Sequence, residues 1–224
     1  MEQQFQYYAF ISYKREDEKW AKWLQDRLRW YKLPSKLCRQ ITRLPKKVWP
    51  VFRDNTDLDS GRLEENIRHE LERSHYLIVI CSPEAARSPW VGKEVKYFAT
   101  LHGADKIIPF VVSGIPYSND IETECIHEQI KAISQEELLA INVREEGIGS
   151  FAMKKKRAFI RVVARLLDIK FNTLWQPYER ILRIRKWSTG IGVVLFLFVL
   201  FILWDYYRTK NEYFADYVDR RSEE

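Results

Sequence analysis

Five short segments of the chain are apolar at successive positions rather than at alternate ones. They are YYAFIS (Tyr7 to Ser12), VWPVF (Val48 to Phe52), YLIVIC (Tyr76 to Cys81), IIPFVV (Ile107 to Val112) and LLAINV (Leu138 to Val143). A strand wetted on one face alternates, so strands that do not are covered on both faces, the habit of a parallel sheet sandwiched between helices. The cover is written between them. Trp20, Trp23, Leu24, Leu28 and Tyr31 fall on one helical stripe, as do Ala158, Phe159, Val162, Val163, Leu166 and Leu167, and residues 63–74 and 89–101 read as two further helices. The β-α-β-α order predicts an α/β fold: a flavodoxin-like open parallel five-stranded sheet with helices on both faces.

A different pattern starts at Trp187. WSTGIGVVLFLFVLFILW, Trp187 to Trp204, carries no charge over about eighteen residues, close to the roughly 20 that span a bilayer core as a helix. Trp187 at one end and Trp204, Tyr206 and Tyr207 at the other suit the headgroup regions, where amphipathic rings are favoured. A single transmembrane helix is expected here. Arg180, Arg183, Arg185 and Lys186 crowd its N-terminal flank, which places the large N-terminal domain on the cytoplasmic side of a single-pass membrane protein. The expected organisation is an α/β domain over 1–167, a basic juxtamembrane connector over 168–186 interrupted by Pro177, the membrane helix over 187–204 and a short tail over 205–224. The opening MEQQFQYYAFISY lacks the basic start and apolar run of a signal peptide.

Charge and cysteine usage narrow the chemistry. The net charge of +6 gathers in Ser35 to Lys47, Lys154 to Arg157 and Arg180 to Lys186, without the interleaved aromatics of a nucleic-acid platform, so no nucleic-acid partner is expected. Cys38, Cys81 and Cys125 form no CxxC pair, and His69, His75, His102 and His127 stand apart from them and from one another, so no metal site is expected. GxSxG, HExxH, GxxxxGK[ST] and GxGxxG are all missing, which removes the usual hydrolase, zinc, P-loop and dinucleotide-fold readings.

Open parallel sheets bind ligands beyond the carboxyl ends of their strands. The loops there are YKRED (Tyr13 to Asp17), RDNTDLDSGR (Arg53 to Arg62) and SPEAARSPW, which leads into the helix bearing Glu94. Trp90 lies one helical turn before Glu94, on the same face. One reaction needs little more than such a carboxylate: cleavage of the bond between nicotinamide and ribose in NAD+. The departing ring leaves neutral from a cationic precursor, so no general acid is required, and a carboxylate beneath the ribose opposes the charge that builds on the sugar. An indole beside it could stack on the leaving ring and exclude water. The alternative is plain packing, with Trp90 against the sheet and Glu94 an ordinary helix residue.

Taken together, YYAFISYKREDEKWAKWL, FRDNTDLDSG and SPWVGKEV resemble the Toll/interleukin-1 receptor (TIR) domain family, above all its bacterial members, over roughly Tyr7 to Leu167. Ala9 to Tyr13 look like the family's first box, Arg53, Asp54 and Gly61 like its BB loop, and Trp90-x-x-x-Glu94 like the signature of NAD-cleaving members. The resemblance implies Glu94 as the catalytic residue, with Ser12, Lys14, Arg53, Asp54 and Trp90 lining an NAD+ pocket floored by Phe10 and Ile11. NAD+ is then the substrate and no cofactor is needed. It implies self-assembly with other TIR domains, activation by that assembly and a role in bacterial defence, with the lipid bilayer as a further partner. The rival reading is a non-enzymatic TIR scaffold. The sequence departs from many animal receptor domains in having Ser60 before Gly61, in lacking a clear third box, and in its longer basic insert, Leu33 to Lys47, read as a solvated loop.

Overall fold

Five parallel strands form the sheet: β1 (Tyr7–Ser12), β2 (Val51–Arg53), β3 (Ser74–Cys81), β4 (Ile107–Val111) and β5 (Ile141–Asn142), in the spatial order β2-β1-β3-β4-β5. The computed structural model describes residues 5–41, 44–45, 47–53, 61–133, 140–144, 150–176, 194–208 and 210. The α/β class, the strand number and the parallel pairing agree with the expectation from apolar runs. Every residue of β4 is buried, as are six consecutive residues of β3 from Tyr76. Continuous runs were therefore the right signature of a sheet with no wet face.

Helices α1 (Glu18–Trp30) and α7 (Phe151–Leu166) cover one face. Trp23 of α1 stacks on Phe110 of β4 at 6.4 Å and meets Phe159 of α7 edge-on at 6.2 Å. Helices α3 (Gly61–Glu72) and α5 (Pro89–His102) cover the other, where Phe10, Ile67, Leu71, Leu77, Val79, Val91, Val95 and Phe98 form one buried cluster. Three short helices complete the domain. They are α2 (Ser35–Gln40), inside the basic insert expected to be a loop, α4 (Pro83–Ala86) and α6 (Glu128–Ile133).

Element ends differ from the sequence reading for local reasons. The third strand starts at Ser74 rather than Tyr76, because the Ser74 hydroxyl bonds back to the Glu70 carbonyl at 2.8 Å and turns the chain straight from α3 into the sheet. The second strand is delayed to Val51, past Pro50, which has no N–H to give a ladder.

The chain divides into two compact units, Met1–Leu174 and Trp175–Glu224. In the second, residues 194–208 are helical and the side chains of 194–208 are exposed. Among the described residues no helix is long and apolar enough to cross a membrane. Of the span expected over Trp187–Trp204, residues 187–193 lie outside the described residues.

Candidate active site

Strand order creates the site. The chain leaves β1 toward β2 on one side, whereas β3 pairs with β1 on the other, Ser12 lying in register with Val79. The carboxyl ends of β1 and β3 thus mark the point where the strand order reverses, the position where open α/β sheets receive ligands.

Helix α5 brings Glu94 to that switch point. Its start is sharply defined: the Ser88 hydroxyl accepts the Val91 N–H, and Pro89 takes the first helical position, where a missing N–H costs nothing. From this start Val91, Val95 and Phe98 face the sheet. Glu94 falls on the buried side with them and is only 5% exposed. A carboxylate buried to that degree requires a donor, and the Ser12 hydroxyl at the end of β1 supplies one to Glu94 Oε2. Ser12 shares the strand face of Phe10, the face that α5 covers.

A hollow of 310 Å³ opens between α3 and α5 beside this pair, lined by Trp90, Glu94, Tyr97, Arg68, Ile67 and Leu71 among others. That size is at the small end for ligand pockets and suits one end of a dinucleotide. Trp90 is half-buried at its rim with the Lys93 ammonium 5.5 Å from its ring centre. A larger hollow of 670 Å³ lies along the other flank of α5, against residues 118–131, but it holds neither Glu94 nor Trp90. Glu94 and Trp90 line the smaller of the two.

Other residues expected in the site are placed as follows. Phe10 is fully buried and stacks on Phe52 at 5.2 Å, beneath the site on the α5 face. Ile11 is also fully buried and, by strand alternation, points to the opposite face. Lys14 is partly exposed in the turn after β1. Arg53 is held at the end of β2: its guanidinium donates to Gln25 Oε1 at 3.1 Å and to the Tyr13 hydroxyl at 3.0 Å, with Glu18 at 3.4 Å. Asp54 lies outside the described residues. Ser12, Glu94 and Trp90 are thus brought together, and Arg53 is tied to the turn that carries Lys14.

Two features around α5 and the strand ends went unread in the sequence. His127 is 7% exposed and packs its ring on α5 at Gly92, where an added Cβ would lie 2.5 Å from Cε1. Its Nδ1 accepts the Gln129 N–H at 3.0 Å, so the proton sits on Nε2 and is donated to the Ser88 carbonyl at 3.2 Å. Asp17, 7% exposed, accepts a hydrogen bond from the Ser82 hydroxyl. The glycine inside SPWVGKEV was the available signal for the first, since a helical Gly invites the question of what approaches it. Among the described residues no group of three His, Cys, Asp or Glu side chains could hold a metal ion.

Sheet order and helical cover define a class of protein, a five-stranded parallel α/β domain with a buried carboxylate, Glu94, held at the β1/β3 switch point. The chain belongs to the TIR domain family, whose profile matches residues 9–146. It is 36% identical over 110 residues to the NAD(+) hydrolase ApTIR of an Actinoplanes species. That alignment takes in 48% of this chain and 14% of the relative, so the shared part is a small fraction of the longer protein. Among solved structures it is similar to the TIR domains in the activated Roq1 resistosome directly recognizing the pathogen effector XopQ, at 14% identity, covering 69% of this chain and 98% of that one. With a TM-score of 0.45, that likeness decides nothing.

Proposed function

We propose that this protein is an NAD+ glycohydrolase in which Glu94 is the catalytic carboxylate. One observation carries the reading: Glu94 is buried at the switch point, bonded by Ser12 and set one turn from Trp90, beside a hollow. The name of the 36%-identical relative supports it.

The chemistry follows from that placement. The bond between the ribose C1′ and the pyridine nitrogen breaks, and its electron pair returns to the ring, which leaves as neutral nicotinamide. Positive charge is left on the sugar, where an anionic carboxylate is the stabilising partner. Water then adds at C1′ and releases a proton. The Ser12 hydrogen bond fixes one oxygen of Glu94, so the carboxylate need not reorganise as charge develops. Trp90 borders the same hollow, where an indole can stack on the pyridine and lower the local dielectric, strengthening the charge interaction.

Activation by self-assembly with other TIR domains, and a place in bacterial defence, belong to the same proposal. So does a single-pass anchor, supported by the uncharged run Trp187–Trp204 and by the exposed apolar side chains from Val194 to Trp204. Confinement to a bilayer would raise the effective concentration of neighbouring domains and put the N-terminal domain on the cytoplasmic side.

The test is NAD+ consumption by the full chain in liposomes at rising surface density, for the wild type and Glu94→Ala. The expected result is turnover that climbs with density and falls by about a hundredfold or more in the variant. Equal activity in the variant removes Glu94 from the chemistry. An inert wild type at every density, with flotation showing it bound to the membrane, leaves the scaffold reading.

A further inference from the structure

Two buried serine–carboxylate pairs sit at the carboxyl ends of β1 and β3, and they cross. Ser12, the last residue of β1, bonds to Glu94, which lies on the segment following β3. Ser82, the first residue after β3, bonds to Asp17, which lies on the segment following β1. Each strand end thus holds the carboxylate of the other's loop. The first pair belongs to the chemistry proposed above, whereas the second has no part in it.

The second pair is costly to bury without a purpose. Burial, with Glu84 and Glu16 nearby, raises the Asp17 carboxyl above its ordinary range against the Ser82 hydrogen bond, which lowers it. Its connections explain the expense. The Asp17 N–H donates to the Lys14 carbonyl at 2.7 Å, closing the turn that carries Tyr13 and Lys14. Tyr13 in turn receives the Arg53 guanidinium. On the other side, the Ser82 oxygen accepts the Ala85 N–H at 3.1 Å and caps α4, and the Ala85 carbonyl accepts the Ser88 N–H at 3.1 Å. Ser88 is the cap that fixes where α5, and so Glu94, begins.

We infer that Asp17 is a positioning residue for the active site: through Ser82 it fastens the Tyr13–Asp17 turn, with Lys14 and the Arg53-bound Tyr13, to the segment that sets the start of α5 and hence the position of Glu94. This rests on the NAD+ reading for its kinetic consequence but not for its geometry. Ser82 follows Cys81, whose side chain lies in the α5-face cluster, and continues extended at φ −145°, ψ 166°, so it points to the other side of the sheet. The two pairs thus hold the carboxyl ends of β1 and β3 from opposite faces of the sheet.

The experiment compares wild type, Asp17→Ala, Asp17→Asn and Ser82→Ala in the full chain, reading KM and kcat for NAD+ per folded molecule, with amide hydrogen exchange over residues 13–18 and 83–94. Asp17→Ala and Ser82→Ala are expected to raise KM about tenfold or more and to speed exchange in both segments. Asp17→Asn keeps an oxygen for Ser82 and is expected to stay within about threefold of wild type. A mere fold lock would lower the melting temperature and the folded fraction while leaving KM unchanged, and that outcome overturns the inference. Should Asp17→Ala fail to fold, Ser82→Ala against Asp17→Asn makes the same comparison. A wild type that leaves NAD+ intact defeats the enzymatic reading alone. Exchange then decides: faster exchange in both segments of Ser82→Ala upholds the brace, and unchanged exchange over 83–94 overturns it.

Discussion

The Ser12 hydroxyl donates a hydrogen bond to the Glu94 carboxylate across 82 positions of sequence, and both side chains are buried. That bond joins the end of one strand to the helix following its neighbour. It ties the central carboxylate to an interior strand of the sheet.

Ser12→Ala is therefore expected to act on catalysis as well as on folding. The carboxylate loses a partner fixed on β1 and gains freedom to turn, so NAD+ turnover should drop roughly tenfold. Steady-state kinetics check this beside a thermal melt, where the loss of one buried hydrogen bond should cost about 1–3 kcal/mol.

Gly92→Ala is expected to be destabilising although alanine is the better helix former. The new methyl would lie 2.5 Å from His127 Cε1 and 2.7 Å from Nε2, so the ring or the helix must move, at about 1–3 kcal/mol. Denaturant unfolding of Gly92→Ala, His127→Ala and the double variant measures the clash directly. The double variant should be more stable than the sum of the single losses requires.

Stability should fall as the pH drops through the histidine range. Burial lowers His75, His102 and His127 below the ordinary 6.5, with Lys106 also pushing His75 down. For a group depressed on folding, the stabilising contribution is complete above the unfolded pKa and is lost as pH falls through the folded one. The melting temperature is therefore expected to be flat between about pH 6.5 and about pH 8, below the ordinary thiol range, and to decline below about pH 6.5. Protonating His127 would also break its acceptance of the Gln129 N–H, so His127→Gln should make the decline shallower.

Thiol reactivity should single out one cysteine. Burial pushes the Cys81 thiol well above its ordinary value and Cys125 up to about 12, so neither supplies thiolate near neutral pH. Cys38 is partly exposed on α2. A chromogenic disulfide reagent should titrate one thiol in the native protein and all three after denaturation.

The sheet and its helical cover were legible because their cause is local composition. A run such as YLIVIC can be satisfied only where both faces are dry, and the stripe from Trp20 to Tyr31 only against such a face. Trp90 and Glu94 could be placed on one helix face for the same reason. The short helix α2 was hidden, because six residues of SKLCRQ in a basic stretch carry too little apolar periodicity to distinguish a helix from a solvated loop. Partnership was beyond reach altogether. Nothing in the string pairs Ser12 with Glu94, Ser82 with Asp17 or His127 with Gly92: the first two pairs meet only once the strand order has set β1 beside β3, and the third once β4 lies beside β3. Hydrophobic periodicity is a property of neighbours along the chain, and the sequence alone determined the layers from it. Which carboxylate each serine holds depends on the route the chain takes between strands, and tertiary structure alone decided that.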